Sequence, residues 1–312
     1  MMLGISIIDH RVQSRSLAEY AVDWAKSGVQ VLPGKPGTFW TQYESWAMVR
    51  RPTFYMGPPE PHEVRNILWQ ARAAVASYLL EADEAHPANA WLYVCTDQTY
   101  TVEKLAPDVR HNVRRGLREL RITPLTAQEL LRHGVQAFCD TRCRNGLSDG
   151  TPEEFRRRYT AEARIPEIVF FGAWRDDQLA AFLSIIEVDD WADIGCFSVD
   201  ALRRYKPNDA LVYSAIAYYL LERKFRLVTY GLSSIQEVSN LAGLHRFKTK
   251  LGFEAHPVHR VFEPHPLLRP FANRWTLRGV NTLLRFRPKD RVLKKACGAL
   301  ACMLGETLHS LM

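Results

Sequence analysis

The chain is 312 residues long, 47% hydrophobic and 24% charged, with a formal net charge of +7. Those are globular proportions, and the length suits one large domain or two ordinary ones with a substantial core. A membrane-spanning helix is excluded, because no stretch approaches the roughly 18 to 20 uninterrupted apolar residues that a span needs.

The opening MMLGISIIDHRVQSR has too short an apolar run for a signal peptide and no small-residue cleavage site, so the expected location is cytoplasmic. Six cysteines are scattered without a CxxC pair. Cys139 and Cys143 could share a helix face, but two thiols without nearby histidines make a poor metal site; free thiols and no metal are expected. The positive charge is local. Residues 269–295 carry nine basic side chains (Arg269, Arg274, Arg278, Arg285, Arg287, Lys289, Arg291, Lys294 and Lys295) against Asp290 alone, a segment charge of +8 that leaves −1 for the rest. The basic character therefore belongs to the C-terminal tail and not to the protein at large, which bears on any polyanionic partner.

In chain order, the first third is the least regular. GTFWTQYESWAMVRRPTFYMGPPEP reads as strand and loop, rich in aromatics and broken by Pro52, Pro58, Pro59 and Pro61. Residues 63 to about 80 read as one apolar-faced helix, with Val64, Leu68, Ala71 and Val75 on a stripe. WLYVCT (91–96) is a strand. DVRHNVRRGLREL (108–120) is a helix with two stripes: Val113, Leu117 and Leu120 buried, and Arg110, Arg114, Arg118 and Arg121 on another face. Thr126-x-x-Glu129 and Thr151-Pro-x-Glu154 are capping boxes that start helices over about 127–143 and 152–163. Three strands follow, 167–174, 179–188 and 191–199, joined by Arg175-Asp176-Asp177 and Asp189-Asp190 as hairpin connections. A helix begins near Asn208 and Asp209, with Leu211, Val212, Ala215, Ile216, Tyr219 and Leu220 facing inward. Then come a strand over 225–232, a helix over 236–251 and a last strand over 254–262. In GLHRFKTKLGFE, Leu244, Phe247 and Leu251 form one apolar stripe, and Gly252 suits a left-handed cap onto which Phe253 folds back.

The order α-α-β-β-β-α-β-α-β joins an antiparallel meander to a helix and a parallel strand. It resembles the acyltransferase fold called GNAT. The run Phe247-Lys248-Thr249-Lys250-Leu251-Gly252-Phe253 is similar to the helix end of its Fem-type branch, whose members build peptidoglycan cross-bridges by transferring an amino acid from tRNA. Arg110-His-Asn-Val-Arg114-Arg115-Gly-Leu-Arg118 looks like that branch's arginine-rich helix between two GNAT-like halves. The resemblance covers about residues 90–265. It implies an α/β (α+β) fold with a mixed, largely antiparallel twisted sheet flanked by helices, and a divergent or reduced N-terminal GNAT-like half. The domains expected are 1–122 with the arginine-rich helix, a GNAT-like acyltransferase domain over 123–265, and a basic amphipathic tail over 266–312.

GNAT enzymes that use acyl-CoA hold its pyrophosphate on a Q/R-x-x-G-x-G/A turn, where backbone N–H groups and a helix N-terminus face the anion. The stretch here is Arg203-Arg204-Tyr205-Lys206-Pro207-Asn208-Asp209-Ala210. Asn208 and Ala210 stand nearest the two glycine positions, Pro207 lacks a donor and Asp209 adds negative charge, while Arg203, Arg204 and Lys206 supply positive charge. The backbone donor that polarises the acyl carbonyl is expected at Phe197 to Val199. The tyrosine such enzymes carry on the last helix is missing, with Asn240, Gly243 and Phe247 in its place. Acyl transfer to an amine still needs a base, a polarising group and an acid. The candidates are Glu187, Asp193 and Asp200 at strand ends, Tyr230 at the end of its strand, and Asn240, a mid-helix asparagine that implies a polar contact. Ser233 and Ser234, just beyond Tyr230, lie where substrate enters related folds and equally suit a helix N-cap. Lys248, a substrate-binding candidate, and His245 could meet a phosphate or carboxylate, or be solvated on an exposed helix face.

The function expected is N-acyl transfer from a thioester, acyl-CoA or an acyl carrier protein, used as a co-substrate and not as a tightly bound cofactor. The acceptor is a small-molecule or peptide amine. A Fem-like aminoacyl-tRNA donor and a non-catalytic GNAT-like binding module are the alternatives. Residues 269–304 interleave Trp275, Leu283, Leu284 and Phe286 with basic side chains. That composition suits an anionic membrane surface at the inner face, a grip on RNA, or packing on the body.

Overall fold

Eleven strands and ten α-helices form among the residues that the computed structural model describes, 15–43, 45–147, 150–233, 241–288 and 290–305. The first half runs α1 (Leu17–Lys26), β1 (Val31–Pro33), β2 (Phe39–Tyr43), β3 (Ala47–Arg51), α2 (Glu63–Ala71), β4 (Val75–Glu81) and β5 (Ala90–Cys95). It continues through α3 (Pro107–Glu119), β6 (Arg121–Leu125), α4 (Ala127–His133), α5 (Val135–Arg144) and α6 (Pro152–Glu162). Then follow β7 (Ile168–Arg175), β8 (Gln178–Val188), β9 (Trp191–Ser198), α7 (Pro207–Ala217), β10 (Leu227–Leu232), α8 (Leu241–Lys250) and β11 (Glu254–Pro264). The tail holds α9 (Arg274–Phe286) and α10 (Arg291–Met303). Two compact units divide the chain without following sequence order. One takes Val94–Tyr230, Arg246–Glu254 and the described residues up to Tyr20; the other takes Ala21–Tyr93, Gly231–His245 and the chain from Ala255.

In the first of these units, β6, β7, β8 and β9 pair antiparallel in sequence order, and β10 returns parallel to β9 after the α7 crossover. The aspartates expected to turn the hairpins do so. Asp176 and Asp189 take φ values of 52° and 49°, a left-handed conformation that aspartate tolerates better than most residues. Phe182 and Phe197 stack at 4.9 Å across β8 and β9, with Tyr159 and Phe138 against them. Thr126 completes its capping box with Glu129, whereas Thr151 accepts the Glu154 N–H but the Glu154 carboxylate turns to Arg157 instead. The helix expected over 127–143 breaks at Gly134 into α4 and α5.

The arginine-rich helix also differs in detail from its expected form. It ends at Glu119, so Arg121 belongs to β6, where its guanidinium lies 5.8 Å from the Trp174 ring centre. Its buried side is Val109, Val113 and Gly116. Gly116 lets α3 approach α7 closely: a Cβ there would lie 2.7 Å from Ala210 Cβ and 2.8 Å from the Lys206 carbonyl.

In the other unit β1, β2 and β3 form an antiparallel meander, α2 crosses over, and β4 lies parallel to β3 with β11 antiparallel beyond it. This repeats the meander, helix, parallel-strand order of the first unit. The helix expected from 63 to about 80 is only half helix. Arg72 takes φ 50° and closes α2, and Val75–Glu81 become a strand paired on both sides. An apolar run of that length satisfies either period, and pairing with neighbouring strands decides it. One sheet face packs Trp40, Met48 and Ala76 against Val64, Ile67 and Leu68 of α2; the other buries Ala47, Val75 and Phe262 with Ala299 of α10. The apolar end of the tail thus packs on this unit. All six cysteines are free, with Cys95 and Cys196 buried and Cys143 exposed.

Candidate active site

Parallel strands β9 and β10 stay paired for three residues only. Trp191, Ala192 and Asp193 face Leu227, Val228 and Thr229, after which β9 runs on to Ser198 and β10 to Leu232 without a shared ladder. Backbone groups along the freed edge of β9 would be the natural place to bind an acyl carbonyl. Most are engaged within the protein. The Ser198 N–H donates to Thr141 Oγ1 at 2.8 Å, and the Val199 N–H to the Ala180 carbonyl at 2.9 Å. Phe197 is held in the ladder opposite Phe182. None of the backbone donors expected at Phe197 to Val199 therefore points to an empty acyl site.

The side chain that enters this region comes from α8. Its end is a Schellman motif: Gly252 N–H bonds the Thr249 carbonyl at 3.1 Å, and Phe253 N–H the Lys248 carbonyl at 3.4 Å. Gly252 sits at φ 92°, and a Cβ there would meet Tyr100 Cε2 at 2.8 Å. Glycine is required on both counts. The Tyr100 hydroxyl donates to the Leu251 carbonyl at 2.7 Å and fixes the cap from outside. Phe253 and Phe247 lie edge-on to the Tyr230 ring, with centroids 5.6 and 6.3 Å away.

This frame drives Lys248 inward. The residue is 7% exposed. Its Nζ donates to the Tyr230 carbonyl at 3.0 Å and lies 4.8 Å from the centre of the Tyr230 ring. Burial depresses its pKa from 10.5 to about 7, and the Asp193 carboxylate pulls the other way. Lys248 is therefore poised between ammonium and amine near neutral pH. The Tyr230 phenol moves in the opposite sense: burial and the neighbouring Cys196 thiol raise its pKa, although the Cys196 N–H opposes them. It stays neutral and keeps its own proton. Asp193, Tyr230 and Lys248 are thus brought together; Asp193 was expected as a base and Lys248 as a substrate contact.

The other expected residues lie elsewhere or do other things. Glu187 pairs with Ala192 and so projects from the sheet face opposite to Asp193. It is buried, accepts from the Tyr219 hydroxyl and lies 3.6 Å from Arg223; burial raises its pKa and these two partners lower it. Asp200 is ion-paired with Arg144. At the 203–210 turn Arg203 and Arg204 are exposed, Lys206 is half-buried in a left-handed conformation, and Ala210 is fully buried beneath Gly116 of α3. Asn208 accepts from the Cys196 thiol at 3.3 Å. Asp209 does not present the open negative charge expected of it, because it is buried and Lys250 lies 2.5 Å away. In the other unit the Ser233 hydroxyl accepts the Trp91 N–H at 2.9 Å, and His245 meets the Tyr93 hydroxyl at 3.0 Å. Asn240 and Ser234 lie outside the described residues. Among the described residues no three His, Cys, Asp or Glu side chains gather into a metal site.

One signal for Lys248 stood in the sequence. It lies four residues after Leu244 and three before Leu251, within the apolar stripe and not beside it. The role of Gly116 had no such signal, because a close helix crossing leaves no pattern in one chain alone.

No family model matches the chain, and no curated protein sequence does. Two solved structures are similar to it in fold. The DUF2156 C-terminal domain assigned to a lysylphosphatidylglycerol synthetase from Agrobacterium fabrum aligns over 77% of this chain and 86% of its own, with TM-score 0.51 and 14% identity. FemX aligns over 81% of this chain and 93% of its own, with TM-score 0.54 and 10% identity. Identities this low speak to the fold alone. Together with the meander, crossover and parallel strand, they show that the chain shares the fold of FemX and of that DUF2156 domain, a fold consistent with the GNAT-like, Fem-type resemblance of its sequence.

Proposed function

We propose that the chain is an N-acyltransferase that moves an acyl group from a thioester, acyl-CoA or an acyl carrier, to an amine. The observation that carries this reading is the buried Lys248 at the divergence of β9 and β10, where the nearby backbone donors are already engaged. A side-chain cation then does what a backbone N–H does in other oxyanion sites. The amine attacks the thioester carbonyl, and the Lys248 ammonium stabilises the oxygen as negative charge develops there. As the C–S bond breaks, the ammonium gives its proton to the leaving thiolate, while the amine loses its proton to solvent. With a pKa of about 7, Lys248 is acidic enough to protonate a thiolate whose parent thiol titrates near 8.5. Asp193 favours the charged form of Lys248, and the neutral Tyr230 phenol shapes the wall.

A second reading has its own support. The 203–210 turn lacks both glycines and is packed under α3, which fits an aminoacyl-tRNA donor that needs no pyrophosphate cradle. A non-catalytic binding module is the third. Native mass spectrometry of the purified protein for a retained CoA thioester or acylated carrier, followed by turnover with free amines, separates them. Thioester-dependent turnover is the expected result. Turnover with aminoacyl-tRNA alone selects the second reading, and donor binding without turnover selects the third.

A further inference from the structure

The tail folds into parts with different fates. Residues 297–303 of α10 pack inward, as Ala299 among Ala47, Val75 and Phe262 shows. Lys295 is withdrawn with them: its Nζ lies 4.5 Å from the Tyr43 ring centre and 3.2 Å from the Tyr43 hydroxyl. Arg269 is paired with Glu263 at 3.3 Å. Asp290, the segment's single acid, caps α10 by accepting the Leu293 N–H. What faces outward is α9.

At about 100° per residue, α9 has two apolar faces. Leu277, Val280 and Leu284 form the inner one, with Leu277 5% exposed. Trp275, Leu283 and Phe286 form the outer one and are 78%, 52% and 80% exposed. Arg274, Arg278 and Arg285 run along one border and are exposed, as is Arg287 just past the helix. Arg278 sits 5.3 Å from the Trp275 ring centre. Immediately before the helix, Leu267 and Phe271 are exposed as well. A globular surface helix needs one apolar stripe; α9 has a second.

We propose that the outer face of α9 seats the protein on an anionic lipid surface, with Trp275, Leu283 and Phe286 in the acyl boundary and Arg274, Arg278, Arg285 and Arg287 among the headgroups. An amphipathic helix lying in the interface combines apolar burial with attraction to anionic lipid, which is the composition of this face. Among the described residues no helix is long and apolar enough to cross a bilayer, so the contact lies in the surface plane. Charge decides against a second copy of the chain, because a two-fold contact on this face would set arginines against arginines. RNA is a poorer fit: phosphates reward the arginines, but an exposed Leu283 beside Phe286 gains nothing from them.

The test is flotation of the full chain with vesicles of phosphatidylcholine alone or mixed with phosphatidylglycerol. The expected result is binding to the anionic vesicles that weakens with salt and falls at least tenfold in the Trp275→Ala/Phe286→Ala double variant. Arg278→Glu/Arg285→Glu should erase the preference for anionic lipid. All four residues are exposed, so an unchanged thermal melt will confirm that the fold persists. Brominated lipid should quench tryptophan fluorescence less in Trp275→Phe than in the parent. Unchanged vesicle affinity in the double variant overturns the proposal. So does a gel-filtration dimer that the same variant dissociates, or tighter binding to single-stranded RNA than to the anionic vesicles.

Discussion

Lys248 is a cation placed where water cannot solvate it, and its consequences can be separated by pH. If its ammonium donates the proton, activity follows the protonated fraction, and kcat/KM falls as pH rises through about 7. Lys248→Met should lower kcat/KM by about 10²–10⁴-fold, the range for a lost acid, and should also lose that descending limb. A profile that keeps the limb in the variant would remove Lys248 from the chemistry. Stability moves the other way. The folded pKa of about 7 lies below the usual 10.5, so between these values the unfolded chain binds more protons and stability rises with pH. The penalty is fully present below about pH 7. At about 1.4 kcal/mol per pKa unit, less the lost bond to Tyr230, Lys248→Met should be more stable than the parent by about 2 kcal/mol at pH 6. That advantage should shrink towards pH 10, as urea unfolding at the two pH values can measure.

Elements were legible where their signal was local. The paired aspartates at 176–177 and 189–190 announce hairpins because they tolerate the turn, and Gly252-Phe253 announces a helix end because only glycine fits there. Elements decided by their neighbours were not. Val75–Glu81 is strand because β3 and β11 flank it, and nothing within VASYLLE rules out helix. The candidate site was half legible for the same reason: Tyr230 and Asp193 sat at strand ends, but the burial of Lys248 follows from how α8 docks. The α8 cap gives a prediction at this scale. Gly252→Ala must strain a φ of 92° and push a methyl into Tyr100, destabilising by about 1–3 kcal/mol. Gly279→Ala, in α9 with nothing within 4 Å of its would-be Cβ, should instead stabilise by about 0.5–1 kcal/mol. Melting temperatures that shift in the same direction for both would contradict this assignment.

Across the whole molecule the same topology occurs twice and is completed in two ways. Each unit has a meander, a crossover helix and a parallel pair of strands that separate. In one, β9 and β10 part around Tyr230 and the titratable Lys248. In the other, β3 leaves β4 after Val49 and Ser77, and the chain rejoins at Met56 opposite Leu79. Arg50 fills that second gap. It is 2% exposed, its Nη2 donates to the Gly57 and Leu79 carbonyls at 2.6 and 3.1 Å, and the Tyr55 and Tyr78 ring centres each lie 5.1 Å from its guanidinium. Burial lowers the pKa of Arg50, yet a guanidinium keeps its charge under conditions that would neutralise a lysine. One gap is therefore closed by a permanent cation that ties strands together, and the other holds a cation that can give up its proton. Arg50→Ala leaves the Gly57 carbonyl without its guanidinium donor and a void beside two rings, which should destabilise by about 3–5 kcal/mol. Below its melting temperature the variant should nonetheless keep the descending limb near pH 7 that Lys248→Met abolishes. An Arg50→Ala protein of unchanged urea midpoint would show that the guanidinium does not hold the first gap. One with normal stability and a lost limb would place the reactive cation in the wrong half of the chain.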